Sequence, residues 1–128
     1  MNEEPVGPGP LTLEIIPDRA YYLQGQEIHF SIYVSNTHDW RVPKPTTIIY
    51  DIVNFSSQTV MIDYVNPHPC FEPHSRNLFV TYEWDQKTED LSNQNLVPPG
   101  NYTFTVSFEG PVNYDSLAAY SFEIRPNL

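Results

Sequence analysis

The sequence predicts an all-β protein, a single Ig-like antiparallel β-sandwich of about seven strands. Its 128 residues suit one domain, because single hydrophobic cores usually serve about 100 to 200 residues. Thirteen Pro and five Gly divide the chain into short segments, and most of these alternate apolar and polar residues as half-buried strands do. We expect residues 1–10, rich in Pro and Gly, to form a flexible lead and residues 11–128 to form the domain.

The first half of the chain contains four predicted strands. The first two each place their apolar residues on one face, in the sets Leu11, Leu13 and Ile15, and Ile28, Phe30, Ile32 and Val34. Two β-branched runs follow at residues 46–54 and 59–64, and the four residues between them suit a hairpin turn.

The second half contains three more predicted strands. Their inward faces are expected to be Leu78, Val80, Tyr82 and Trp84, then Tyr102, Phe104, Val106 and Phe108, and last Tyr120, Phe122 and Ile124. A Pro-Pro-Gly turn precedes Tyr102, the position at which Ig-like sandwiches carry a corner tyrosine whose hydroxyl bonds to the backbone. The alternative is that Tyr102 is simply a core aromatic.

The charge balance disfavours several kinds of partner. Sixteen acidic and six basic residues give a net charge of -10, and the basic residues are scattered along the chain. Nucleic acids and anionic membranes are bound by clustered Lys and Arg, so we expect neither as a partner. No apolar stretch approaches the roughly 20 residues of a membrane-spanning helix. The residues imply no cofactor and do not indicate an oligomeric state.

Compartment is indicated by weak signals. Cys70 is the single cysteine, so the chain forms no internal disulfide. Acceptor sequons at Asn54 and Asn101 are possible glycosylation sites, although such sequons also arise by chance. We expect an extracellular or cell-surface protein, with the cytoplasm as the alternative.

The sequence predicts no enzyme. It contains no G-x-S-x-G elbow, P-loop, dinucleotide fingerprint or H-E-x-x-H motif. Its adjacent acidic residues, such as Glu3-Glu4 and Glu89-Asp90, lie in expected loops, where solvated charges are the simpler explanation.

The loop at residues 37–45 is the predicted site of partner binding. It carries Trp40, Arg41 and Lys44 together with two prolines. Trp and Arg are favoured interface anchors, and a restrained loop loses less entropy on binding. The alternative is that Trp40 folds over the open end of the sandwich as a lid.

The segment at residues 68–74 is the one place where potential metal ligands cluster. His68, Cys70 and His74 offer soft and borderline donors for Cu or Zn, and His29 could be a distant further ligand. The axial Met of a blue-copper site is missing at the expected position. A Pro-stiffened surface loop is therefore favoured over a metal site.

Residues 99–110 (PGNYTFTVSFEG) and 120–124 (YSFEI) resemble the C-terminal half of the BsuPI family. That family is named for an intracellular proteinase inhibitor of Bacillus. The resemblance implies an Ig-like sandwich and raises proteinase inhibition as an activity.

Three hypotheses about function follow. The first is a non-catalytic Ig-like binding or accessory module that contacts a protein. The second is a proteinase inhibitor of BsuPI type that contacts a protease through residues 37–45. The third is a metal-binding sandwich that uses residues 68–74.

Overall fold

The computed structural model describes residues 11–42, 47–56, 58–65, 70–88, 95–109 and 117–128. Within these ranges the secondary structure is all β, as predicted. The strands are β1 (Thr12–Pro17), β2 (Tyr22–Leu23), β3 (Ile28–Asn36), β4 (Thr47–Asn54), β5 (Thr59–Val65), β6 (Ser75–Trp84), β7 (Gly100–Glu109) and β8 (Leu117–Arg125). This part of the chain contains no helix long and apolar enough to cross a membrane.

The strands form two sheets. One has three strands in the order β1-β3-β6, and the other has five in the order β2-β8-β7-β4-β5. Every pairing is antiparallel except β2 with β8, which is parallel. The two-residue β2 is the strand that the sequence does not predict, because two residues are too few to show a period.

The core lies between the two sheets and is mainly aromatic. Burial alternates along β3 and β7 as the sequence predicts, so Phe30 and Phe104 are both fully buried. Their rings stack across the two sheets with centroids 4.7 Å apart. Tyr82 of β6 also stacks on Phe104, at 5.1 Å. Period-two patterning therefore produces two apolar faces that pack against each other.

The predicted inward face of β6 is wrong at one end. Leu78 is 52% exposed, whereas Phe79 is buried and packs against Phe71 and Phe108. The cause is a bulge, since Ile32 pairs with Val80 and Tyr33 with Leu78, which leaves Phe79 as an extra residue. An extra residue exchanges the inward-facing and outward-facing positions of the strand on one side of the bulge.

A buried residue marks each end of the sandwich, Asn36 at one and Tyr102 at the other. The Asn36 end contains the end of β3 and the start of β6, and the Tyr102 end contains the starts of β3 and β7.

The Tyr102 hydroxyl donates a hydrogen bond to the Pro98 carbonyl four residues upstream. The predicted tyrosine corner is therefore confirmed, and burial raises the pKa of Tyr102.

A buried glutamine holds the connection between β2 and β3 at the Tyr102 end. The Gln86 side chain is fully buried, and its amide nitrogen donates to the carbonyls of Leu23 at 2.8 Å and Gln26 at 2.6 Å. Its oxygen accepts from the N–H of Gly25, at 3.1 Å, where φ is +89°, a conformation that favours glycine. These three hydrogen bonds fix the chain between β2 and β3.

Replacing Phe104 by Ala should lower the free energy of unfolding by about 3 to 5 kcal/mol, because a fully buried ring at the centre of the sheet contact leaves a cavity. Urea titration measures the change. Phe55→Ala is the matched control, since Phe55 is 72% exposed and its loss should change stability by less than about 0.5 kcal/mol. Equal losses for the two variants would contradict this account of the core.

Candidate functional site

Two loops meet at the Asn36 end of the sandwich. Residues 37–42 follow β3, and residues 70–74 precede β6. Val42 and Phe71 join the loops as an isolated antiparallel bridge, with both N–H to O=C distances at 2.9 Å. The two segments that the sequence treats as separate candidates are therefore parts of one surface.

Asn36 fixes both loops. It is the last residue of β3 and is 1% exposed. Its amide nitrogen lies within hydrogen-bond distance of the carbonyls of Trp40, at 2.9 Å, and of Phe71 and Glu72, at 3.1 Å each. Its side-chain oxygen accepts from the His38 N–H at 3.0 Å. One buried side chain thus satisfies backbone groups on two loops that are far apart in sequence.

Polar and charged side chains link the same loops at the surface. Arg41 Nε lies 3.1 Å from Glu72 Oε2, and His74 Nε2 lies 2.6 Å from Asp39 Oδ1. All four side chains are at least 60% exposed, so each contact contributes little to stability. His74 also has φ of +51°, which non-glycine residues seldom adopt. These contacts orient the four side chains on the two loops that Asn36 joins.

Trp40 is the large aromatic of this surface. It is 45% exposed, and its ring stacks on His38 with centroids 4.3 Å apart. The Asn36 amide bonds to the Trp40 carbonyl, and His38 supports one side of the ring, so the indole stays presented to solvent. A partly exposed Trp beside an Arg on a fixed backbone suits protein recognition.

The predicted partner-binding residues have different outcomes. The structure places Trp40 and Arg41 together at the Asn36 end, with Glu72 and Asp39 beside them. Lys44 lies outside the described residues. No sequence pattern indicated Asn36 or Glu72 as a site residue. An Asn at a strand end can be predicted to bond two residues ahead, but its bonds to residues 71 and 72 depend on tertiary contact.

Of the candidate metal ligands, His29 is separated from the loop that contains Cys70 and His74. His29 lies near the start of β3, seven residues before Asn36, which at about 3.3 Å per residue is roughly 23 Å away. Its ring bonds to Glu27, and His74 bonds to Asp39. Cys70 instead borders a groove of about 220 Å³ lined by Val34, Phe71, Leu78 and Phe79 among others. His68 lies outside the described residues. In the described ranges no three His, Cys, Asp or Glu residues gather as a metal site.

Both candidate glycosylation residues lie at the Tyr102 end. The Asn54 oxygen accepts from the N–H groups of Ser56 and Gln58, at 2.9 and 3.0 Å. Asn101 is exposed on β7. Neither residue is part of the surface at the Asn36 end.

No family model matches the chain, and no curated protein sequence matches it. Solved structures do resemble it. A β-glucosidase from Erythrobacter marinus has a TM-score of 0.60 at 16% identity over 90% of this chain. An alkylpurine DNA glycosylase from Pseudomonas fluorescens, bound to DNA containing an abasic site analog, has a TM-score of 0.61 at 14% identity over 91%.

A third similar structure is a CARDB domain from Pyrococcus furiosus in complex with di-metal ions. It has a TM-score of 0.53 at 12% identity, and the match covers 89% of this chain and 91% of that domain. By contrast, the chain spans 15% of the glucosidase and 31% of the glycosylase. At such low identities the likeness establishes the Ig-like β-sandwich fold and nothing further.

Replacing Asn36 by Ala should lower the free energy of unfolding by about 1 to 3 kcal/mol, because three backbone carbonyls and one N–H lose their buried partner. Urea titration measures the loss. The variant should also raise acrylamide quenching of Trp40, which is distinguishable because Trp84 is buried. Asn77→Ala, at an exposed position of β6, is the control and should change neither measurement.

His29 should titrate above the ordinary histidine pKa of about 6.5. Its hydrogen bond to Glu27 raises the pKa, and the charges of Glu27, Asp18 and Glu83 add to the effect. Because the folded pKa is raised, the favourable contact is present at acid pH and is lost as the pH rises through that pKa. NMR titration of the ring protons measures it. Glu27→Gln should lower the His29 pKa, and an unchanged value would show that the bond to Glu27 is absent in solution.

Proposed function

We propose that this domain is a non-catalytic binding module that contacts a protein partner through the Asn36 end. One observation carries the proposal: the buried Asn36 amide holds two loops together and keeps Trp40 exposed beside Arg41. A preorganised aromatic anchor binds with less loss of side-chain and backbone entropy. The Arg41–Glu72 ion pair and the His74–Asp39 hydrogen bond on this surface are exposed, so they are suited to exchange for contacts with a partner.

The comparisons are compatible with this proposal through the fold alone. In the glucosidase and the glycosylase this fold makes up a small part of a much longer chain. The CARDB match shows the same fold as a domain of its own size. An accessory role is compatible with the fold occurring as part of a longer chain and as a separate domain. Proteins that share a fold can differ in function because their functional sites differ. The two sequons support an extracellular or cell-surface location within this proposal, with the cytoplasm as the alternative.

A second candidate is proteinase inhibition, supported by the BsuPI resemblance and by the position of Arg41 in the same loop. An inhibitor of this kind would present Arg41 to an acidic specificity pocket. Arg41 would first have to leave Glu72, which costs less than about 1 kcal/mol for an exposed pair. Both candidates therefore use the same surface and differ in the partner.

Partner binding should depend on Trp40 and not on an exposed aromatic at the other end. Immobilised wild-type protein, Trp40→Ala and Phe55→Ala are exposed to extracts and secreted material of the cells that make the protein, and retained proteins are quantified by mass spectrometry. We expect one protein to be retained by wild type and Phe55→Ala, and retained at least about thirtyfold less by Trp40→Ala, which is about 2 kcal/mol. Retention that is the same for all three proteins would refute this surface.

Assays against serine, cysteine and metalloproteases separate the two candidates. If the partner is a protease, Arg41→Ala combined with Lys44→Ala should weaken inhibition by at least about thirtyfold while leaving the melting temperature near that of wild type. Unchanged proteolysis at micromolar protein would reject inhibition and leave the accessory module. Inhibition that survives the double substitution would place the contact outside residues 37–45.

A further inference from the structure

A second cleft lies at the Tyr102 end, far from the surface described above. It has a volume of about 320 Å³ and is formed by the chain around β2. The described residues that line it are Arg19, Ala20, Tyr21, Leu23 and Gln26. None of them is acidic, although the chain has 16 acidic residues and only six basic ones. The one charged residue among these lining residues is Arg19.

Three carboxylates that are close in sequence to the lining residues or to Arg125, which contacts Tyr21, have hydrogen-bond partners of their own. Asp18 accepts a hydrogen bond from the Tyr22 hydroxyl at 2.7 Å. Glu27 contacts His29 at 2.7 Å, and Glu123 contacts Arg125 at 3.0 Å. None of these three carboxylates is among the residues that line the cleft.

Arg19 differs from the other arginines. Arg41, Arg76 and Arg125 each lie within 3.1 Å of a carboxylate oxygen. Arg19 forms no such ion pair with any residue that the structure describes. A guanidinium presents a planar fork of donors that suits the paired oxygens of a carboxylate or phosphate. The donors of Arg19 thus remain available on the wall of the cleft.

The other walls are held in place by the fold. The Gln26 oxygen accepts from the Leu23 N–H at 3.1 Å, and its backbone carbonyl accepts from Gln86 at 2.6 Å. This arrangement leaves the Gln26 amide N–H groups as a second set of donors. The Arg125 guanidinium lies 3.7 Å from the centroid of the Tyr21 ring and covers one face of it. The ring is 41% exposed and adds a flat apolar surface.

We propose that this cleft binds an oxyanion, a carboxylate or a phosphate group carried by a small molecule. Arg19 binds the two oxygens, Gln26 donates a further hydrogen bond, and Tyr21 contacts any planar or apolar part of the ligand. The net charge of -10 opposes anions at long range, so binding is weak, with a dissociation constant on the order of 1 mM. The site lies at the opposite end from the proposed partner surface and does not depend on it.

NMR titration of the ¹⁵N-labelled protein tests the proposal. Sodium phosphate and sodium benzoate are added in separate series at constant ionic strength, which sodium chloride maintains. We expect saturable shifts of the Ala20 and Tyr21 amides and of the Gln26 side-chain amide. Tighter binding of benzoate would identify the ligand as a carboxylate on a planar group, and tighter binding of phosphate would identify it as a phosphate.

Two variants decide whether Arg19 is responsible. Arg19→Gln should weaken binding of the preferred anion by at least about tenfold. Arg76→Gln is the matched control, because Arg76 is paired with Glu14 on the outer face of the three-stranded sheet, and binding should be unchanged. Shifts that stay linear up to about 50 mM of both anions, a range well above the expected constant, would overturn the proposal. Saturable shifts that persist in Arg19→Gln would overturn it as well.

Discussion

The packing of Phe30 against Phe104 is the contact on which the rest of the structure depends. The two rings stack at 4.7 Å and join the central strands of the two sheets, β3 and β7. Since the single Cys70 cannot form an internal disulfide, the sandwich relies on burial of such rings for its stability. Tyr82 stacks on Phe104 and Phe122 packs against Phe30, so both rings extend the same aromatic layer. This layer fixes the separation of the two sheets and therefore the positions of the strand ends.

Each end of this sandwich is organised by one buried amide side chain. Asn36 connects the loops before β4 and before β6, and Gln86 connects the end of β6 with the residues around β2. Where strands end, backbone N–H and C=O groups have no partner on a neighbouring strand. Both side chains supply hydrogen bonds to such groups. The two connections produce different surfaces. The Asn36 end presents Trp40 and exposed ion pairs, whereas the Tyr102 end presents a cleft with donors and no acidic lining residue among those described.

The acidic composition determines how these surfaces can act. Three of the described arginines are paired with carboxylates, which leaves Arg19 as an exception. Pairing reduces the local positive charge that an acidic partner would meet at Arg41, so the proposed recognition at the Asn36 end would rely more on Trp40 and on backbone shape. At the cleft, Arg19 has no carboxylate partner among the described residues, so the proposed anion site would rely on its guanidinium.

The sequence by itself determined the fold class, the inward faces of β3 and β7, and the corner at Tyr102, because period-two patterning and a Pro-Pro-Gly turn act locally. It also indicated Trp40 and Arg41 as surface anchors. Tertiary structure decided the rest. The bulge that buries Phe79 in place of Leu78 depends on how β6 pairs with β3. The joining of residues 37–42 to residues 70–74 depends on an Asn36 side chain that reaches across 36 positions of sequence. The separation of His29 from His74 follows from strand direction, since the two lie at opposite ends of β3 and β6. Such relations depend on pairing between distant segments, which no local pattern of residues encodes.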